Sequence, residues 1–188
     1  MKAVIFDCFG VLVEGSLEPM CEAFFPGDAK ALRDVIDLEA RASRGEITYE
    51  EFLQTCAKWA NRDPDELRAF LDNNPRNEPL LDFIATDLKP HYKIGFLSNA
   101  ADDWTEELFT NEHLALFDDI ILSFQHFMSK PDVKIFELAA ERLGVETTDC
   151  LFIDDVEKYC EGARQAGMKV IQYRDVSQTI SAIKKELA

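Results

Sequence analysis

The chain has 188 residues, 47% of them hydrophobic, and its 36 acids against 20 lysines and arginines give a formal charge of −16. That length and apolar content suit one packed core plus a small insertion and exclude a disordered chain. The charge excludes the basic footprint of a nucleic-acid binder, and the absence of any run of about 18 apolar residues excludes a membrane span.

Residues 2–7 are an unbroken apolar run ending in Asp7, the pattern of a strand buried on both faces and not of a signal peptide. From about residue 16 to residue 88 the signals are helical. MCEAFF has helical spacing, and AKALRDVIDLEARAS carries Leu32, Val35, Ile36, Leu38 and Glu39 in a stripe with one apolar face. Thr48 and Glu51 form a capping-box pattern opening YEEFLQTCAKWA. Asp63-Pro64 opens DELRAFLDN, and Pro79 opens LLDFIATDLK. After Pro90 strands and helices alternate. HYKIGFLSNA is a strand ending in Ser98-Asn99, DDWTEELFTN a helix, and DDIILS a strand ending at Ser123. A helix runs between Pro131 and Gly144. CLFIDD is a strand ending in Asp154-Asp155, EKYCEGARQAG a helix, KVIQY the last strand and SQTISAIKKEL the last helix. This alternation predicts an α/β fold, a doubly wound parallel sheet with a helical cap inserted after its first strand. The expected core is residues 1–15 and 76–188, and the cap is residues 16–75.

Cys8, Cys21, Cys56, Cys150 and Cys160 include no C-x-x-C pair, and His91, His113 and His126 form no H-x-x-x-H pair. Reduced thiols in a cytoplasmic protein are expected, and a zinc site is not.

In an open parallel sheet, ligands bind outside the carboxyl ends of the strands. Asp7, Ser98-Asn99 and Asp154-Asp155 stand at such ends, and Lys130 lies just past the third strand. Singly, each is ordinary turn or cap chemistry. In this order at one edge, they point to a site. Three converging carboxylates repel, which implies a hard divalent cation, Mg2+, with oxygen ligands. A carboxylate, a cation, a lysine and a hydroxyl can hold a phosphoryl group. The carboxylate can attack phosphorus to form an acyl phosphate, while cation and lysine neutralise the equatorial oxygens.

IFDCFGVL, GFLSNA, SKPDVKIFELAAERLGV and CLFIDDVEKYCEGARQAGMKVI, in this order over the whole chain, resemble the motifs of the haloacid dehalogenase-like (HAD) superfamily. Its members are mostly Mg-dependent phosphatases. The resemblance implies a Rossmannoid core with Asp7 as nucleophile and metal ligand. It implies that Ser98, Asn99 and Lys130 bind phosphate, Ser98 and Lys130 also serving catalysis. Asp154, Asp155 and the main-chain carbonyl of Phe9 complete the implied Mg2+ site. The implied partner is a small phosphorylated metabolite.

Phe9 departs from the family pattern, which has an aspartate there as general acid and base. Losing such a group costs ~10²–10⁴-fold in rate. Three readings stay open. The first is a phosphatase for esters with a good leaving group, such as an anomeric sugar phosphate or an acyl phosphate, or one with another proton donor, Glu14 or a cap residue. The second is a 2-haloacid dehalogenase, a group that carries tyrosine at this position but uses no metal and lacks the acid pair. The third is a weakly active relative that binds a phosphorylated ligand or a protein. Phe127 supports the third, because relatives often have glycine three residues before the lysine and a bulky side chain would narrow the mouth. If Phe9 is the only obstacle, Phe9→Asp raises turnover of ordinary phosphomonoesters. Elsewhere plain roles are expected: Cys8 as buried filler, His126 at the surface or in packing, Arg41 and Arg44 at a solvated helix end, and Trp59 and Trp104 as packing residues.

Overall fold

The computed structural model describes residues 1–187. One sheet holds five parallel strands, β1 (Ala3–Phe6), β2 (Lys93–Ser98), β3 (Asp119–Leu122), β4 (Cys150–Asp154) and β5 (Lys169–Gln172), in the order β3-β2-β1-β4-β5. The helices are α1 (Leu17–Phe24), α2 (Ala29–Ser43), α3 (Tyr49–Ala60), α4 (Pro64–Leu71), α5 (Glu78–Phe83), α6 (Thr105–Leu108), α7 (Asn111–Leu114), α8 (Val133–Leu143), α9 (Glu157–Gln165) and α10 (Val176–Leu187).

β1 is central, and its unbroken apolar run follows from having both faces covered. Val4 and Phe6 enter one hydrophobic cluster with Leu80 and Leu81 of α5 and Ile183 of α10. Ala3 and Ile5 enter a second with Ile135 and Phe136 of α8 and Ala163 of α9. Gly95 in β2 lets α8 approach closely, since an added Cβ would lie 2.9 Å from Leu143 Cδ1. Phe6 pairs in register with Phe96 of β2 and Ile153 of β4. The ladder continues one residue further, where Asp7 N–H donates to Ile153 O at 2.9 Å. Asp7, Ser98 and Asp154 therefore share the carboxyl edge of the sheet.

Between β1 and α5, helices α1 to α4 bury a third cluster that includes Met20, Val35, Leu53 and Leu67. Local chemistry sets their ends. The Thr48–Glu51 capping box forms, and Asp63 accepts from Asp65 N–H at 2.9 Å beside Pro64. No helix among the described residues is long and apolar enough to cross a membrane. All five cysteines are buried and unpaired.

Three local expectations are corrected. DDWTEELFTN holds only the short α6 and the first residue of α7, because Phe109 is extended and buried and Thr110 caps a new turn. The α2 stripe is split: Val35, Leu38 and Ala42 are buried, while Leu32 and Ile36 are exposed. Trp59 is 45% exposed and is not a core residue.

Candidate active site

The strand order reverses its winding between β1 and β4, the point where open α/β sheets leave a crevice. Asp7 leaves β1 into a tight loop in which Cys8 O accepts the N–H groups of Val11, Leu12 and Val13. Gly10 N–H donates to Val13 O at 2.8 Å. Among the described residues, no hydrogen bond in this loop ends on the Phe9 carbonyl. Gly10 has φ +87°, and a Cβ there would lie 2.5 Å from Asp155 Oδ2. Glycine alone lets the loop pass beside that carboxylate.

Lys130 is buried, with Nζ 2.6 Å from Asp7 Oδ1 and 2.7 Å from Asp154 Oδ2. Asn99 clamps its main chain. Lys130 N–H donates to Asn99 Oδ1 at 2.8 Å, and Asn99 Nδ2 donates to Lys130 O at 3.1 Å. These two bonds use the Asn99 side chain to hold Lys130 in place. Ser98 is buried at the cavity floor and bonds only at 3.2 Å, to Asn99 O.

Burial raises Asp7 from its ordinary 3.8 to about 8, Asp154 adds to the rise, and Lys130 opposes it. Burial alone would lower Lys130, but the attraction of Asp154 and Asp7 lifts it above the ordinary lysine range. Asp155 is also raised, by burial and then by Asp154. Asp7, Asp154 and Asp155 each place an oxygen within 4.8 Å of the others. Asp155 Oδ1 is buried without a hydrogen-bond partner. An unpartnered buried carboxylate oxygen is costly, and a hard cation that takes oxygen ligands would satisfy it. The donor set fits Mg2+.

Over this floor lies a cavity of about 650 Å3. Ile36 and Glu39 of α2 and Tyr49 and Phe52 of α3 line its roof. Phe9 forms part of the wall, edge-on to Trp104 with ring centroids 4.7 Å apart.

Other sequence candidates fall outside. Glu14 is exposed and does not line the cavity. Phe127 does not narrow the mouth. It is 76% exposed and packs its ring on Gly45. Its φ of +55° is the left-handed conformation that glycine adopts without strain. Arg41 and Arg44 both pair with Glu46 at the end of α2. His126 is outside the lining. Burial pushes the Cys8 thiol well up, so it is not a reactive thiolate. The residue that sequence reasoning missed is Glu39. Its signal was an acid inside an apolar stripe.

A family model described as haloacid dehalogenase-like hydrolase matches residues 1–167. Phosphatase MT3486 of Mycobacterium tuberculosis (strain CDC 1551 / Oshkosh) is 41% identical over 71 residues, 37% of this chain and 33% of that protein. The match thus spans about a third of that relative's length. Glyceraldehyde 3-phosphate phosphatase of Methanopyrus kandleri is 25% identical over 203 residues, 93% of this chain and 84% of that protein. Among solved structures, HAD family enzyme bt-2542 of Bacteroides thetaiotaomicron, in complex with magnesium and inorganic phosphate, superposes with a TM-score of 0.76. It is 23% identical, covers 95% of this chain and 98% of that one, and speaks to the fold alone.

Proposed function

Since the chain belongs to the haloacid dehalogenase-like hydrolases, we propose that it is a cytoplasmic Mg2+-dependent phosphatase acting on a small phosphorylated metabolite. The observation that carries this reading is Lys130 Nζ, 2.6 Å from Asp7 and 2.7 Å from Asp154. A buried lysine between two strand-end acids is a charge arrangement made for an anion that brings its own cation. The phosphatase names of the relatives support it.

Asp7 attacks phosphorus, the ester P–O bond breaks, and an aspartyl phosphate forms. Lys130 carries charge that builds on the equatorial oxygens, and Ser98 donates a hydrogen bond to one of them. Water then attacks phosphorus and frees Asp7. Asp7, Asp154, Asp155 and the Phe9 carbonyl would hold Mg2+, which supplies neutralising charge on the phosphoryl group. Residues 16–75 act as a cap over a core of residues 1–15 and 76–188 and exclude water from the cavity. The cap helices' separate hydrophobic cluster supports that division.

The dehalogenase reading has less support. Without a cation, three carboxyls within 4.8 Å of each other would repel an anionic substrate. The binding-only reading rests on Phe9. One experiment separates all three: phosphate release from a panel of phosphate esters with Mg2+, with EDTA and with Asp7→Asn, beside halide release from 2-chloropropionate. Phosphate release that needs Mg2+ and vanishes in Asp7→Asn is expected. Metal-independent halide release, or silence in both assays, would overturn the reading.

A further inference from the structure

On an ester with a poor leaving group, a phosphatase with phenylalanine at position 9 still needs a proton for its leaving oxygen, and the cavity holds one carboxyl suited to give it. Beyond the acidic trio, four carboxyl residues line the cavity: Glu18, Glu39, Asp72 and Glu107. Glu18, Asp72 and Glu107 are exposed, and Glu39 is not. Glu39 belongs to α2, with Ile36 one turn before it and Ser43 one turn after it on the same side. The Ser43 hydroxyl donates to Glu39 Oε1. The helix end is pinned to the core, because the buried Ser123 Oγ donates to Ser43 O at 2.5 Å and accepts from Ala100 N–H at 3.0 Å. Glu39 is thus a positioned group on a fixed roof, over the site of Asp7 and Lys130.

We propose that Glu39 is the general acid and base of this enzyme, supplying from the cap the proton transfer that family members make from the position of Phe9. The inference rests on the phosphatase reading. As Asp7 attacks and the ester P–O bond breaks, the electron pair goes to the leaving oxygen and the Glu39 proton goes with it. The Glu39 carboxylate then takes a proton from the attacking water as phosphorus leaves Asp7. Ester and water become alcohol and phosphate, and Glu39 ends protonated. Burial holds its carboxyl above the ordinary range, while the Ser43 hydroxyl, Lys130 and Arg44 pull it down. Tyr159 of α9 also faces it. A phosphate between Glu39 and Lys130 masks the lysine charge and favours the protonated acid.

The test compares the parent, Glu39→Gln and Glu39→Ala on 4-nitrophenyl phosphate and benzyl phosphate with Mg2+. The nitrophenolate leaves without a proton, and the benzyl alkoxide does not. Glu39→Gln keeps the side-chain shape and an oxygen for Ser43, so it is expected to fold. It should slow benzyl phosphate turnover about 10²-fold or more. On 4-nitrophenyl phosphate it should release a rapid single equivalent of nitrophenol and then turn over slowly, because the aspartyl phosphate waits for its base. Glu39→Ala should behave alike. Benzyl phosphate turnover within a few-fold of the parent, or equal slowing of the first turnover on both esters, would overturn the assignment. If the parent matches Asp7→Asn on both esters, the phosphatase reading itself falls, and the role of Glu39 falls with it.

Discussion

At Gly10 the main chain passes so near Asp155 that a Cβ would lie 2.5 Å from its Oδ2, and φ is +87°. Gly10→Ala must therefore swing either the loop or the carboxylate, and both belong to the proposed Mg2+ site. Displacing a group that orients a metal ligand typically costs 10–100-fold in affinity. We expect a loss of about that size in Mg2+ affinity for Gly10→Ala, read by titration calorimetry. An unchanged affinity would remove Asp155 from the metal site. Phe9 makes the opposite case, a residue whose replacement adds little. Its edge-on contact with Trp104 forms cavity wall, and such pairs contribute about 0.5–1.5 kcal/mol beyond area burial. Phe9→Asp loses that contact and brings a fourth carboxylate beside three. With Glu39 already supplying a proton, its gain on benzyl phosphate should fall well short of the ~10²–10⁴-fold of a general acid. Stability in urea should drop by about 1 kcal/mol. A full-sized gain would show that position 9 was the obstacle after all.

Helix α2 serves two surfaces, and this decides what its sequence could reveal. Leu32, Val35, Ile36, Leu38 and Glu39 read as one stripe, but the cap cluster takes Val35, Leu38 and Ala42 while the cavity takes Ile36 and Glu39. Periodicity reports that a face is covered and not which partner covers it. By contrast, β1 was legible, because a short apolar run ending in an acid has few homes outside a doubly covered central strand. The ends of α3 and α4 were legible too, since Thr48 with Glu51 and Asp63 with Pro64 are capping chemistry within a few residues. Asn99 was not, because its partner Lys130 lies 31 residues away and only the tertiary fold joins them. Ser123 is a similar long-range joint, 80 residues from Ser43. Ser123→Ala leaves a buried carbonyl and a buried N–H without their bonds, at a cost of about 1–3 kcal/mol. Because that joint also fixes the end of α2 that carries Glu39, kcat on benzyl phosphate should fall as well. A urea titration with steady-state kinetics reads both, and a stability loss with unchanged kcat would detach the joint from the roof.

The net charge of −16 opposes any anionic substrate over the molecule as a whole. Among the described residues, Lys130 is the one lysine or arginine lining the cavity, and in the proposed mechanism the second positive charge comes from Mg2+. The same deficit shapes stability. Asp7 is held at about 8 in the fold against an ordinary 3.8, so across that window the folded protein keeps a proton that the unfolded chain has lost. Folding takes up the proton, and the metal-free fold weakens as pH rises through the window. Asp155 and Glu39 are raised as well and act in the same direction. Mg2+ needs the ionised carboxylates and expels the proton on binding. Its stabilisation should therefore grow as pH rises from about 5 toward 8, the upper end of the Asp7 window. Thermal melts with EDTA and with Mg2+ at both ends of the range test this, with Asp7→Asn as the reference that removes Asp7 from the titration. In the parent, Tm without metal should fall and the Mg2+ increment should rise. In Asp7→Asn both trends should flatten. An Mg2+ increment that ignores pH would mean the ion binds elsewhere, and the buried acids would then be a cost to the fold that no cation offsets.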